Sequence, residues 1–182
     1  MKRIWMGLAF VWGAAEAMFF FVVADMPITL MTARSGLRTG VMAALWATVG
    51  ALLGGVLLYL WAGADGAGLG RLLDLVPAVS ASQIAATKQQ MADDWVFATL
   101  MGGFTGEPYK LYAAAAGEQR LSLLPFLAVS VVARLSRFLC SVALAHALTS
   151  VLRRYGHDRW ARPLIGLWWI GFYAWYWTRM PW

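Results

Sequence analysis

The chain has 182 residues, of which 61% are hydrophobic and 13% are charged, and its formal net charge is +6. A soluble domain carries about a quarter charged residues and roughly half apolar ones. The composition therefore excludes an ordinary cytosolic enzyme, a disordered region and a disulfide-stapled secreted module, and it predicts an integral membrane protein. Eleven tryptophans favour the same class, because indole rings prefer the membrane–water boundary.

The excess of basic residues is more typical of a chain whose charges set its membrane orientation and contact anionic lipid headgroups than of a nucleic-acid-binding protein. The single cysteine, Cys140, has no partner for an internal disulfide. Two histidines, His146 and His157, are too few and too scattered to predict a metal centre. We therefore expect no cofactor, no metal and no nucleic-acid partner.

Five apolar blocks follow one another along the chain. The first, residues 4–24, is interrupted by Glu16 and stopped by the turn Asp25-Met26-Pro27. The second, residues 40–64, has no charged residue and is long enough to span a hydrocarbon core of about 30 Å. The fourth and fifth, residues 121–152 and 163–178, are a long block with two arginines and a short, tryptophan-rich one.

The third block is broken in its middle. Residues 95–104 are apolar, but ten helical residues cover only about 15 Å, half of the hydrocarbon core. A polar turn with Pro108 follows, and then a second short apolar run to Gly117. Backbone freed at membrane depth must be buried in protein or line a wet cavity. The pattern predicts a broken or re-entrant helix here and in the first block.

A short repeat relates these two broken blocks. A shift of 81 residues aligns Pro27, Leu30, Ala33 and Gly36 with Pro108, Leu111, Ala114 and Gly117, and a long apolar block follows each copy. Paired broken segments in the two halves of a membrane protein indicate a transporter site. The alternative is two unrelated proline kinks.

These blocks predict one integral membrane domain with an all-α, polytopic fold. Two re-entrant hairpins form an inverted repeat, accompanied by about three full transmembrane helices. Residues 1–64 hold the first hairpin and helix, and residues 65–94 form a polar linker at the membrane surface. Residues 95–152 hold the second hairpin and helix, and residues 163–178 form the C-terminal helix.

Basic residues orient this arrangement. If the N-terminus is cytoplasmic and all five blocks cross, eight basic residues lie on the cytoplasmic side and four on the outer side, as the positive-inside rule requires. The inner set is Lys2, Arg3, Arg71, Lys88, Arg153, Arg154, Arg159 and Arg162, and the outer set is Arg34, Arg38, Arg120 and Arg179. If the broken blocks turn back instead, some loops change side.

Six charged residues fall inside apolar blocks, where each unpaired charge costs about 2.5–3.5 kcal/mol. They are Glu16, Asp25, Glu107, Lys110, Arg134 and Arg137. Arg134 and Arg137 are three residues apart and share a helix face, so we expect Glu16 and Asp25 to be their partners. Glu107 and Lys110 have the same spacing and would be neighbours if that stretch is helical.

Two interpretations of these charges stay open. They either join helices as structural ion pairs or form a substrate path. In the second case Lys110, Arg134, Arg137 and, more weakly, Glu107 bind an anionic headgroup. Glu16 or Asp25 then takes up protons. The hairpin turns would be formed by Pro27, Gly36, Pro108 and Gly117.

The stretch from Phe104 through Glu107, Pro108 and Lys110 to Gly117 and Phe126 resembles the second signature of the DedA family, the SNARE-associated or VTT-domain membrane proteins. Glu16 and the turn at Pro27 are similar to the family's acidic first re-entrant segment. Gly50 and Gly54 occupy positions where the family has small residues. Lys110 replaces the family's arginine after the proline turn, and a second arginine before that turn is lacking.

The resemblance implies lipid transport in the bacterial inner membrane, with undecaprenyl phosphate or phospholipids as cargo. We therefore predict a flippase or scramblase for an anionic phospholipid or a polyprenyl phosphate, with protons as a candidate coupling ion and a homo-oligomer left open. The chain lacks the motifs of an intramembrane lipid enzyme, so no enzymatic activity is predicted. A structural or assembly protein is the main alternative, and a headgroup enzyme is a weaker one.

Overall fold

The computed structural model describes residues 2–77 and 79–179, apart from the side chains of Lys2, Arg3 and Arg179. The chain is 87% helical, and the described residues contain no strand, which confirms the predicted all-α class. The helices are α1 (Lys2–Met18), α2 (Asp25–Ser35), α3 (Leu37–Asp74), α4 (Ala81–Thr105), α5 (Tyr109–Glu118), α6 (Leu123–Arg154) and α7 (Ala161–Arg179), with a 3-10 turn at Asp158–Trp160.

Two helices, α3 and α6, dominate the architecture. Within the described ranges they are the two helices that are long and apolar enough to cross a membrane, against the expectation of about three. Large apolar side chains remain exposed along α3, among them Leu45, Val49 and Leu53. An apolar surface of this extent requires a partner, and a bilayer supplies one.

Both predicted breaks are present. Residues 19–24 separate α1 from α2, and residues 106–108 separate α4 from α5. Pro27 lies in the first turn of α2, and Pro108 directly precedes α5. A proline at a helix start is tolerated because the N–H group it lacks would have no intrahelical partner there. The short helices α2 and α5 are each followed by one of the long helices, as the repeat predicts.

The two repeat glycines have different tasks. Gly36 ends α2 with φ at +84°, a conformation that favours glycine. Gly117 lies in the last turn of α5, where an added methyl group would collide with the backbone carbonyl of Tyr59 in α3. The two aligned glycines of the repeat therefore differ in role, since Gly36 forms a turn and Gly117 allows close packing against α3.

The first helix pair, α1 and α2, packs along one end of α3. The guanidinium of Arg34 in α2 lies 5.5 Å from the ring centre of Trp5, so the start of α1 adjoins the end of α2. Thr32 lies against Gly40 near the start of α3. Met18, at the end of α1, reaches Gly54 near the middle of the apolar part of α3.

The second helix pair, the last turns of α4 with α5, approaches α3 from its other end. Glu118 at the end of α5 lies beside Gly66, whereas Tyr109 at its start contacts Gly55. A methyl group added to Gly55 would lie 2.6 Å from the hydroxyl of Tyr109. The tips of the two helix pairs therefore meet near Gly54 and Gly55 of α3.

Small residues bring α1 and α3 into close contact. Gly13 of α1 lies against the backbone of Ala47, and Gly50 of α3 lies against the carbonyl of Phe10. A methyl group on Gly54 would lie 2.7 Å from the carbonyl oxygen of Ala14. Such small-residue faces let helix backbones approach closely, as is common between helices in membranes.

The predicted linker, residues 65–94, begins and ends at two backbone kinks. Asp65 (φ −146°, ψ 76°) interrupts α3, and Asp94 (φ −154°, ψ 89°) interrupts α4. The carboxylate of Asp65 accepts from Gly68 N at 2.8 Å, and that of Asp94 accepts from Phe97 N at 3.0 Å. Each aspartate thus caps the helical segment that follows it. Between the kinks, Leu69 and Met91 are buried.

Arg34 and Arg162 line a single groove, whereas the arrangement in which all five blocks cross puts Arg34 outside and Arg162 inside. The groove forms because α7 packs across α2 and the break before it. Trp169 Nε1 donates to Thr29 Oγ1 at 2.9 Å, and Val23 N donates to the hydroxyl of Tyr173 at 2.8 Å.

Candidate functional site

Five charged side chains meet where the helix-pair tips contact each other. They form the central charge cluster: Glu16, Asp25, Lys110, Arg134 and Arg137. Four elements contribute, since Glu16 is on α1, Asp25 starts α2, Lys110 is on α5 and both arginines are on α6. All except Arg137 are buried.

Glu16 and Arg134 form the deepest ion pair. Arg134 is 1% exposed and Glu16 is 6% exposed, and a terminal guanidinium nitrogen of Arg134 donates to Glu16 Oε2. Two aromatic rings also contact the guanidinium, with its carbon 4.7 Å from the ring centre of Phe138 and 5.2 Å from that of Tyr109. Cation–π contacts of this kind stabilise a desolvated cation.

Asp25 and Arg137 form the second pair. Arg137 Nε donates to Asp25 Oδ2 at 3.0 Å, and a terminal guanidinium nitrogen lies 2.9 Å from the same oxygen in an ion pair. The other carboxylate oxygen of Asp25 accepts from Ser141 Oγ at 2.6 Å. The pairing of both arginines with Glu16 and Asp25, predicted from their helical spacing, is thus confirmed.

Lys110 has a different environment. Its ammonium group donates to the backbone carbonyl of Phe20 at 3.0 Å, and the side chain is 3% exposed. This bond joins the tip of the second helix pair to the break in the first. No described carboxylate lies within ion-pair distance of Lys110, although Glu16 and Arg134 are near enough to act on it electrostatically.

Three polar atoms beside the Glu16–Arg134 pair are buried without a hydrogen-bond partner of normal geometry. They are Arg134 Nε, the hydroxyl of Tyr109 and the hydroxyl of Ser130. Leaving buried donors unsatisfied costs about 1–3 kcal/mol each. Arg134 Nε therefore retains a donor for a polar group that enters the cluster, whereas the hydroxyls of Tyr109 and Ser130 lie near each other.

Glu107, the fourth headgroup-binding candidate from the sequence, lies outside the central charge cluster. Residue 107 precedes α5, so the i, i+3 geometry with Lys110 does not form. Its carboxylate instead accepts from the hydroxyl of Tyr112, and Gln90 lies 3.5 Å away. Glu107 thus borders a separate pocket of about 320 Å³ beside α4.

Sequence reasoning missed three residues of the site: Ser130, Ser141 and Tyr109. The two serines lie on the helical stripe of Arg134 and Arg137, at spacings of four, three and four residues along α6. That spacing is visible in the sequence and identifies one polar face of an otherwise apolar helix. No sequence pattern identifies Tyr109, because its contact with Arg134 depends on where the start of α5 lies beside Gly55.

The charges and donors of the cluster favour an anionic ligand. Three basic groups face two acidic ones, so the cluster has one excess positive charge when all five are ionised. Guanidinium groups bind phosphate well because their planar donors match its oxygens. Within the described ranges, no group of three or more His, Cys, Asp or Glu side chains is arranged to hold a metal ion.

No match to this chain was found among protein-family models, among curated proteins or among solved structures. The resemblance to the DedA family therefore stays a hypothesis that depends on the short motifs around Glu16 and Pro108.

Proposed function

We propose that this protein is a multi-pass membrane protein that moves an anionic lipid, a phospholipid or a polyprenyl phosphate, between leaflets. The observation that carries the proposal is the central charge cluster, which is buried where α1, α2 and α5 meet the long apolar helix α6 and which keeps an excess positive charge. Ionisable groups at such depth are expensive and most often mark substrate or proton paths. The DedA resemblance supports the same activity and suggests the bacterial inner membrane.

We propose that both helix pairs are re-entrant hairpins that enter from opposite faces of the membrane. Support comes from the contact of Arg34 with Trp5, which joins the two ends of the first pair. With the N-terminus inside and α7 crossing, the inner basic residues are Lys2, Arg3, Arg34, Arg38, Arg153, Arg154, Arg159 and Arg162. The outer ones are Arg71, Lys88, Arg120 and Arg179, so eight against four again obeys the positive-inside rule.

In the proposed cycle, the lipid phosphate binds Lys110 and the arginines of α6 while its hydrocarbon tail stays in the bilayer. The phosphate competes with Asp25 for Arg137 and with Glu16 for Arg134. A proton bound to either acid would release the paired arginine, because a neutral carboxyl group attracts a cation only weakly. Proton uptake and lipid binding would thereby favour each other. The proposal contains no enzymatic step.

Leaflet exchange in proteoliposomes tests this function. Fluorescent phosphatidylglycerol, phosphatidylcholine and a short-chain polyprenyl phosphate would be compared with and without a pH gradient. We expect Lys110→Ala to slow exchange of the anionic lipids about tenfold or more, since a charge-assisted hydrogen bond to the phosphate contributes about 1.5–3 kcal/mol. Asp25→Asn should also slow exchange, because Arg137 then has no carboxylate to return to and the phosphate is not displaced from it. Gradient-dependent exchange would support coupling, and equal exchange without a gradient would support a passive scramblase.

Lys88→Gln is the matched control. It removes a charge from an ion pair with Glu118 whose lysine side chain is 41% exposed, far from the tips of the helix pairs. We expect normal exchange in this variant. Absence of exchange of every lipid by well-folded wild-type protein would refute the transport proposal.

A structural or assembly role is the second candidate, and a separate observation favours it. Glu16–Arg134 and Asp25–Arg137 are complete ion pairs that join α6 to α1 and α2. In that case Asp25→Asn would lower the melting temperature, and the wild-type protein itself would exchange no lipid.

A further inference from the structure

An apolar groove outside the central charge cluster opens between the start of α1, the end of α2 and the start of α7. Its volume is about 370 Å³. Its apolar lining includes Trp5, Leu8, Trp12 and Leu30. Two exposed arginines, Arg34 and Arg162, also line it, at the helix ends that border the groove. We call it the Arg34–Arg162 groove.

Neither arginine of the groove is neutralised by a neighbouring acid. Every ion pair found in the described part of the chain involves other residues. Arg34 lies over the face of Trp5, an interaction that leaves its positive charge in place. The exposed residue Ser35 and Thr39 add hydroxyl groups to the same end of the groove.

The groove therefore combines a long apolar wall with a doubly positive, hydroxyl-bearing end. A soluble anion would leave the tryptophan and leucine wall uncovered. A purely apolar molecule would leave two arginines without a counter-charge. An anionic phospholipid satisfies both parts, because its phosphate carries the negative charge and its acyl chain covers the apolar wall.

The inner part of the groove approaches the central charge cluster. Met26, which lines the groove, follows Asp25 directly in the chain. Trp12 donates from Nε1 to the carbonyl of Val22, in the break between α1 and α2. The groove thus runs from the helix ends to the tip of the first helix pair.

We propose that the Arg34–Arg162 groove binds one anionic phospholipid, with the phosphate at the two arginines and an acyl chain against Trp5 and Leu8. This inference depends on the proposed function for its meaning, since it identifies where a lipid is held before it reaches the central charge cluster. The binding itself can be measured without transport.

Native mass spectrometry of the purified full chain in detergent tests the proposal, with phosphatidylglycerol and phosphatidylcholine as probes. The double variant R34Q/R162Q should bind phosphatidylglycerol about a hundredfold more weakly, since each charge-assisted hydrogen bond contributes about tenfold or more. The control R38Q/R159Q removes the same charge from exposed arginines outside the groove. It should change binding about threefold or less at 0.15 M salt, where distant charges are screened.

A second pair of variants tests the acyl-chain contact. Leu8→Trp narrows the groove and should weaken binding, whereas Val11→Trp places the same bulk on the exposed face of α1 outside the groove. If R34Q/R162Q and R38Q/R159Q weaken phosphatidylglycerol binding equally, the lipid is attracted by the overall surface charge and the proposal is overturned. Efficient competition by soluble glycerophosphate would overturn it in favour of a free-anion site.

The outcome is separable from that of the transport test. Asp25→Asn should lose leaflet exchange and still bind phosphatidylglycerol in the groove. If the wild type exchanges no lipid but R34Q/R162Q selectively loses binding, the groove proposal stands and the transport proposal fails. If exchange is normal and R34Q/R162Q binds like the wild type, only the groove proposal fails.

Discussion

At the scale of single residues, the buried charges are tolerated because each has a defined partner. Arg134 is almost fully buried, yet it meets Glu16 and two aromatic rings. Removing one member of such a pair leaves an uncompensated charge in an apolar surrounding, which costs about 3–5 kcal/mol. Removing both members avoids that penalty.

We therefore predict that Arg134→Gln lowers the free energy of unfolding by about 3–5 kcal/mol, and that E16Q/R134Q recovers a large part of the loss. Chemical unfolding in detergent, carried out as a double-mutant cycle, measures the coupling. Lys88→Gln, in a partly exposed pair with Glu118, should cost about 1 kcal/mol or less. Strictly additive effects of the two cluster substitutions would contradict the pairing.

The ion pairs could be predicted from sequence, and the position of Glu107 could not. Arg134 and Arg137 lie within a long regular helix, so their relative direction follows from helical geometry. Glu107 lies in the break before α5, where the three-residue spacing carries no fixed direction. Its contact with Tyr112 depends on how the chain turns at Gly106, whose φ is +90°.

At the scale of elements, the α1–α3 contact depends on small residues. Gly50 and Gly54 are one turn apart on α3 and face the backbone of α1. Side chains at these positions would force the helices apart, and the tip of the first helix pair, with Glu16 on it, would move with α1.

We predict that Gly50→Ala destabilises the protein by about 1–3 kcal/mol, the usual cost of overpacking. Gly70→Ala is the matched control, because it lies in the same helix and has nothing within 4 Å of the added methyl group. It should be neutral or stabilising by up to about 1 kcal/mol, since alanine favours helix over glycine. Thermal unfolding in detergent distinguishes them, and similar melting temperatures would argue against close α1–α3 packing.

The linker boundaries also belong to this scale. The loss of hydrophobicity after residue 64 and its return at residue 95 predict the ends of the linker, and the backbone kinks occur at Asp65 and Asp94. The agreement has a physical reason. An aspartate is costly within an apolar segment and favourable as a cap, so the same residue ends the apolar run and starts the next helix.

At the scale of the whole molecule, the course of the two helix pairs bears on which loops would lie on the same side of the membrane. The contact between Arg34 and Trp5 returns the chain to the end of the molecule where α1 begins. Arg162 reaches the same end after α6. These contacts support the proposed topology with two returning hairpins.

Cysteine labelling in intact cells tests this topology. In a Cys140→Ser background, Ser35→Cys and His157→Cys should react with a membrane-impermeant maleimide from the same side, and Ala85→Cys in the linker from the opposite side. All three parent side chains are exposed, and permeabilised cells provide the control for reactivity. Labelling of Ser35→Cys and His157→Cys from opposite sides would restore the five-crossing arrangement.

The sequence by itself determined the all-α class, the two breaks and the four residues that pair across α1, α2 and α6. Each of these follows from local periodicity, from proline and glycine positions or from the cost of a charge in an apolar run. Only the tertiary structure decided that the breaks meet at Gly54 and Gly55, that Lys110 binds the Phe20 carbonyl and that Arg34 and Arg162 line one groove. Those contacts join segments far apart in sequence, and long-range packing carries no local signal.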